Sequence, residues 1–131
     1  MKRIMIIDDD EIVGFCIKTT TKQFNKTCEF KEFKNGLTAY EYLSHSINNK
    51  NLLPDIIFLD INMPIMNGLE FLETYSNLYD SLVKRPQLYL LTSSTITSEI
   101  ERAFNTKMVS QYFEKPLRLE ELRMIVNSEL V

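Results

Sequence analysis

An α/β fold, a doubly wound five-stranded parallel sheet with helices on both faces, is what this 131-residue sequence predicts. Three observations carry it. Short apolar runs alternate with helix-period segments five times along the chain, the pattern of strands joined by crossover helices. Three of the runs, IMII, IIFL and LYLL, are almost continuously apolar, as strands buried on both faces must be. The other two, CEFKEF and VSQYFEK, mix charged and apolar residues, as edge strands do. The first, third and fourth runs therefore belong inside and the second and fifth outside. With right-handed crossovers, the order 2-1-3-4-5 satisfies this.

The elements follow in turn. RIMIID is the first strand and ends in Asp8, Asp9 and Asp10. Residues 11–25 have helical period, with Ile12, Cys16, Ile17, Thr20 and Phe24 on one side, and Asp10 is placed to cap them. After CEFKEF, residues 37–48 repeat Leu37, Tyr40, Leu43 and Ile47. After DIIFLD, residues 68–82 set Leu69, Leu72 and Tyr79 on a face with Phe71, Tyr75, Leu78 and Leu82 beside it. After QLYLLTS, residues 97–106 begin behind Thr and Ser residues suited to capping. VSQYFEK closes the sheet, and residues 118–130 bring Leu119, Leu122, Val126 and Leu130 into register. NNKNLLP and YDSLVKRP are connections, the second a long one. No linker or repeat divides the chain, so residues 1–131 form one domain in this reading.

Composition narrows the function classes. A formal charge of −3 and a pI near 5.2 leave no electrostatic footprint for nucleic acid. Cys16 and Cys28 are too few and too isolated for a disulfide or metal framework and read as reduced core thiols. Acids at residue 8 interrupt the first apolar run, which excludes a signal peptide, and no apolar stretch reaches membrane-spanning length. A cytoplasmic protein without membrane insertion is the expectation. His45, the only histidine, lies at a polar helix end and is expected to be exposed.

The chemistry lies at the strand ends. Run one ends in Asp8-Asp9, run three in Asp60, run four in Thr92-Ser93 and run five in Lys115. In a parallel sheet these ends share one edge, and ligands bind there at the topological switch point, between runs one and three. Asp8, Asp9 and Asp60 should converge within a few ångströms. Each like-charge pair at 4 Å costs about 4 kcal/mol at an effective dielectric near 20, so a proton or a cation must enter. All-oxygen ligands with room for water suit Mg²⁺, with Mn²⁺ as its substitute. Lys115 adds an ammonium and Thr92 a hydroxyl. Together they make a receptor for a phosphoryl group, one carboxylate serving as nucleophile.

Four segments in order, IMIIDDD, FLDINMPIMNG, LLTSS and YFEKP, resemble the signature segments of the receiver domain of two-component response regulators, and DINMPIMNG is the most specific of them. The resemblance spans nearly the whole chain and implies a flavodoxin-like fold. It makes Asp60 the phosphoacceptor, Asp8 and Asp9 the Mg²⁺ ligands, and Asn62 the donor of a backbone carbonyl to the same metal. Thr92 and Lys115 then contact phosphoryl oxygens, Tyr112 is the switch aromatic, and Lys115-Pro116 is the family's cis peptide that aims the lysine into the site. The implied partners are a histidine kinase or phosphotransfer protein and a downstream protein of unknown identity, met through the fourth helix, fifth strand and fifth helix. No output domain is expected within the chain. Asn62 and Ser94 flank the site where they could tune hydrolysis. Family members often carry glycine where this chain has Met108, and Asn105 is the residue expected to take the left-handed conformation in its stead.

A competing reading is a Mg²⁺-dependent phosphatase of the haloacid dehalogenase kind, since Asp8 and Asp10 form D-x-D after an aliphatic strand. Ile12 stands where that motif wants Thr or Val, no late acidic pair follows, and DINMPIMNG goes unexplained. An FMN-binding flavodoxin would need a Ser/Thr/Gly phosphate loop where this chain has acids. A phosphorelay switch, not an enzyme, is therefore the expectation.

Overall fold

In a computed structural model, which describes residues 1–93 and 97–127, five parallel strands alternate with five helices. The strands are β1 (Arg3–Ile7), β2 (Glu29–Phe33), β3 (Ile56–Asp60), β4 (Gln87–Thr92) and β5 (Val109–Glu114). The helices are α1 (Glu11–Lys22), α2 (Gly36–Ser44), α3 (Gly68–Tyr79), α4 (Thr97–Asn105) and α5 (Leu119–Val126). The order across the sheet is β2-β1-β3-β4-β5, as expected from which runs are continuously apolar. All five residues of β3 are buried, whereas β2 is buried at none and β5 only at Val109.

Alternation along the strands divides the interior into two layers. Met5, Ile7, Ile57, Leu59, Leu88 and Leu90 face α2, α3 and α4. Ile4, Ile6, Ile56, Phe58 and Leu91 face α1 and α5. Ile7 pairs with Phe33 on one side and Leu59 on the other, so Asp8 and Asp60 emerge side by side from the same edge.

Two expectations about α1 are corrected. Val13, Ile17 and Phe24 pack inward with buried Thr21, but Ile12 is 69% exposed and Cys16 is exposed too. The helix is rotated because Gly14 lies under the Glu32 carboxylate of β2, which also pairs with Lys18 at 2.6 Å. A Cβ at position 14 would meet only that carboxylate and the end of its side chain, which would have to move aside. Cys16 is therefore not a core thiol, while Cys28 is half-buried.

Helix ends also differ. α2 stops at Ser44, with Leu37 exposed and Ile47 packing from the following loop, and α3 stops at Tyr79 before buried Leu82. Arg85 explains the latter: its guanidinium sits over the Tyr79 ring and donates to the Tyr79 carbonyl. The residue with left-handed backbone after α4 is Lys107, at φ 64°, not Asn105. The residues expected to cap α4, Ser94 and Leu130 lie outside the described residues. His45 is exposed, and its Nδ1 lies 2.8 Å from the Glu41 carbonyl one turn back. Among the described residues, no helix is long and apolar enough to cross a membrane.

Candidate phosphoacceptor site

The acids after β1 are held by the backbone around them. Asp8 N–H donates to the Phe33 carbonyl at 2.9 Å, extending the β1–β2 ladder one residue past the strand. Asp8 Oδ1 accepts from the Asp10 N–H at 2.9 Å, which folds the triple-acid turn back toward the sheet. Asp10 then caps α1, its Oδ1 accepting from Ile12 N–H, as expected. Asp8 is buried and Asp9 exposed.

Asp60 ends β3 and is only 5% exposed. Its backbone is gripped by the start of α3. Gly68 N–H donates to the Ile61 carbonyl at 2.8 Å, and a Cβ on Gly68 would collide with the Asp60 carbonyl oxygen. The last letter of DINMPIMNG is thus a close-approach glycine as well as the first residue of α3. Asn67 caps α3 in a reciprocal box with Glu70, fixing the loop from its far end.

Carboxylate oxygens of Asp8, Asp9 and Asp60 lie within 4.8 Å of one another. Lys115 reaches in from the end of β5, its Nζ 2.7 Å from Asp8 Oδ2 and 3.0 Å from Asp60 Oδ1. Among the described residues, that ammonium is the one group that lies against Asp8 Oδ2. The Lys115 N–H donates to the Thr92 carbonyl at 3.0 Å, and the Lys115-Pro116 peptide is cis. Thr92 is buried at the end of β4. The structure therefore brings together Asp8, Asp9, Asp60, Thr92 and Lys115, with Asn62 two residues past Asp60 and its side chain exposed. Tyr112 stands apart, 41% exposed on β5, its ring edge-on to Phe104 of α4 at 5.9 Å.

The electrostatics follow from burial. Desolvation, and then the neighbouring Asp8 charge, push the Asp60 carboxyl up to about 6, although Lys115 and the Asn62 backbone N–H pull the other way. Burial draws the Lys115 ammonium down, but the hydrogen bonds and charges of Asp8 and Asp60 outweigh it and hold the group above its ordinary value. Three carboxylates against one ammonium leave a negative excess, and a hard divalent cation fits it: all donors are oxygen, and exposed Asp9 leaves one side open to water.

A doubly wound parallel sheet whose carboxyl edge carries an acid cluster, a lysine and a buried threonine defines the receiver class of signalling domain. The match is direct: the response regulator receiver domain covers residues 4–127, and the chain belongs to that family. It is 32% identical over 123 residues to the transcriptional regulatory protein CrdR of Helicobacter pylori, covering 92% of this chain but 51% of that relative. The chain thus spans about half the length of that relative. Among solved structures, a two-component response regulator from Cytophaga hutchinsonii aligns with a TM-score of 0.79 at 28% identity, over 95% of this chain and 93% of the other. The phosphorylated cyanobacterial phytochrome response regulator RcpA aligns at 0.73 and 26%, over 95% and 88%. These likenesses lend no support to the dehalogenase-type phosphatase.

Proposed function

We propose that residues 1–131 act as one phosphorelay switch in which Asp60 accepts a phosphoryl group from a phosphohistidine of a histidine kinase or phosphotransfer protein. The observation that carries this is the junction of Asp8, Asp9 and Asp60 within 4.8 Å, spanned by Lys115. Asp8, Asp9, Asp60 and the Asn62 backbone carbonyl are the residues that would hold Mg²⁺, or Mn²⁺ in its place. When bound, that ion supplies charge neutralisation for the phosphoryl oxygens.

An Asp60 carboxylate oxygen attacks phosphorus in line with the imidazole nitrogen. The phosphorus–nitrogen bond breaks, its electron pair leaves with the imidazole, and an aspartyl phosphate forms. Lys115 and the Thr92 hydroxyl contact the transferred oxygens, and Lys115 exchanges carboxylate partners for phosphoryl ones. Thr92 moves toward the phosphoryl group and Tyr112 inward after it, changing the face of α4, β5 and α5 that meets the downstream protein. The acidic surface disfavours nucleic acid, and exchange with a kinase carries a cytoplasmic location with it.

The test is intact mass after incubation with Mg²⁺ and acetyl phosphate or phosphoramidate, with Asp60→Asn beside it. The expected result is one hydroxylamine-labile phosphoryl group on the wild type, absent from the variant and absent in EDTA. An adduct retained by Asp60→Asn would move the nucleophile to the Asp8 cluster.

A further inference from the structure

β2 supplies none of the carboxylates of the site, yet the turn that follows it bonds to both segments that do. The β1–β3 ladder stops at Ile7 and Leu59, one residue short of Asp8 and Asp60. Past that point the turn at residues 33–36 reaches to either side. The Phe33 carbonyl accepts from Asp8 N–H at 2.9 Å, and Gly36 N–H donates to the Met66 carbonyl at 2.9 Å. A residue without a Cβ suits the second contact, since a Cβ on Gly36 would lie 2.9 Å from that carbonyl oxygen and from Phe71 Cβ. Between the two contacts Asn35 is buried and caps α2 with its side chain. The outermost strand thus ends in a brace between the turn that carries Asp8 and Asp9 and the segment that follows Asp60.

Two ion pairs draw α1 onto the same brace. Glu11 and Lys18 lie about two turns apart on one face of the helix, and Lys34 and Glu32 answer them with opposite charge. Lys34 Nζ is 2.6 Å from Glu11 Oε1, and Lys18 Nζ is 2.6 Å from Glu32 Oε2. The four side chains and Asp8 wall a polar cleft of about 280 Å³. Glu11 follows Asp9 by two residues, so the Lys34–Glu11 bridge acts at the solvent-facing end of the acid cluster.

Spacing matters more to one ion than to another. Mg²⁺ needs its oxygens at about 2.1 Å in near-ideal octahedral geometry, whereas Ca²⁺ accepts a looser shell at about 2.4 Å. We infer that the Lys34–Glu11 bridge is a positioning contact for the cation site. By holding the turn after β2 against the start of α1, it sets the spacing of Asp8 and Asp9 from Asp60, and with it the preference of the cluster for Mg²⁺ over Ca²⁺. Neither residue of the bridge is a ligand. The inference rests on the cluster being the cation site of the proposed function.

Binding is read directly, from the loss of the free Mn²⁺ electron paramagnetic resonance signal, with Mg²⁺ and Ca²⁺ measured by displacement. Two double variants keep the wild-type net charge. Glu11→Ala with Lys34→Ala removes the bridge, and Glu11→Lys with Lys34→Glu rebuilds it with the charges exchanged. In the first, Mg²⁺ affinity should fall about threefold to fivefold, the size expected of an exposed pair, while Ca²⁺ affinity stays within about twofold of wild type. In the second, both affinities should lie within about twofold of wild type. Both variants should melt within about 3 °C of wild type, and acetyl phosphate should label Asp60 at saturating Mg²⁺ within about twofold of the wild-type rate. Mg²⁺ affinity that is unchanged in the first variant overturns the inference. So does a parallel fall for Mg²⁺ and Ca²⁺, which would mark a general loss of charge or folding, and so does an exchanged pair that fails to restore selectivity. Wild-type protein that withdraws no Mn²⁺ from solution defeats the cation-site reading and the inference with it, whereas the other adverse results leave that reading standing.

Discussion

A carboxyl group buried beside Asp8 keeps its proton more readily in the folded chain than in the unfolded one, and at Asp60 that difference has a sign. The folded group titrates near 6 against an ordinary 3.8, so between those values the folded state binds the extra proton and stability falls as pH rises. The contribution is fully favourable below the ordinary value and is lost through the folded one. In EDTA, Asp60→Asn should therefore gain more stability over wild type at about pH 7.5 than at about pH 5, by about 1–3 kcal/mol, read from urea melts at the two values. Adding Mg²⁺ should narrow the gap, because the cation stabilises only the charged wild-type site. Lys107 poses a backbone version of the same trade. It holds φ 64° after α4, donating its N–H to the Phe104 carbonyl, in a position where glycine pays no Cβ penalty. Lys107→Gly should raise stability by about 0.5–1 kcal/mol by chemical denaturation. Asn105 drew attention as the residue type that tolerates this conformation. Position decided otherwise, because the left-handed residue is set by where the last helical turn closes.

Between elements, the two glycines that meet crowded neighbours predict opposite outcomes. A Cβ on Gly68 would strike the Asp60 carbonyl oxygen and lie 2.8 Å from Ile61 Cα, and backbone at the centre of the sheet cannot yield. Gly68→Ala should cost about 3 kcal/mol or more and cut Asp60 phosphorylation by acetyl phosphate, since α3 must back away from the residue it positions. Gly14 meets only the mobile end of Glu32, and alanine restores about 1 kcal/mol of helix propensity. Gly14→Ala should therefore stay within about 1 kcal/mol of wild type despite disturbing the half-exposed Lys18–Glu32 pair. Thermal and urea melts of both variants check the contrast. The same helix shows where sequence patterning stops. Strand identity and order were readable because IMII and IIFL can only be doubly buried. The rotation of α1 was not, because apolar residues at Ile12, Val13, Phe15, Cys16 and Ile17 nearly surround it and period alone admits more than one inward face. What selects the face is a contact from β2 that has no signature in the helix itself.

Across the whole molecule, the site and the face it is proposed to control are joined through β4 and β5. Strand ends converge by topology, so the acids, Thr92 and Lys115 were legible from order alone, while the direct reach of Lys115 to both Asp8 and Asp60 depends on side-chain geometry that no spacing reports. Thr92 pairs with Glu114 across the last ladder, and its carbonyl accepts from Lys115 N–H, so a shift at Thr92 is delivered to the strand that carries Tyr112. In the present state Tyr112 is half open to solvent with its edge on Phe104, a position from which inward movement buries apolar area and outward movement does not. A phosphoryl group can shift that balance only by the difference in its contacts between the two positions, and Thr92 and Lys115 are the groups that would make that difference. The chain contains no tryptophan, so Tyr112→Trp installs a single fluorescent reporter on this coupling. Its emission should move to shorter wavelength and its iodide quenching should fall when acetyl phosphate and Mg²⁺ are added. Both changes should disappear in the Asp60→Asn background and shrink in the Thr92→Ala background. A reporter that responds equally with and without Thr92 would separate the phosphoacceptor chemistry from the switch and route the coupling through Lys115, which meets Asp60 directly and lies three residues after Tyr112, just past the end of β5.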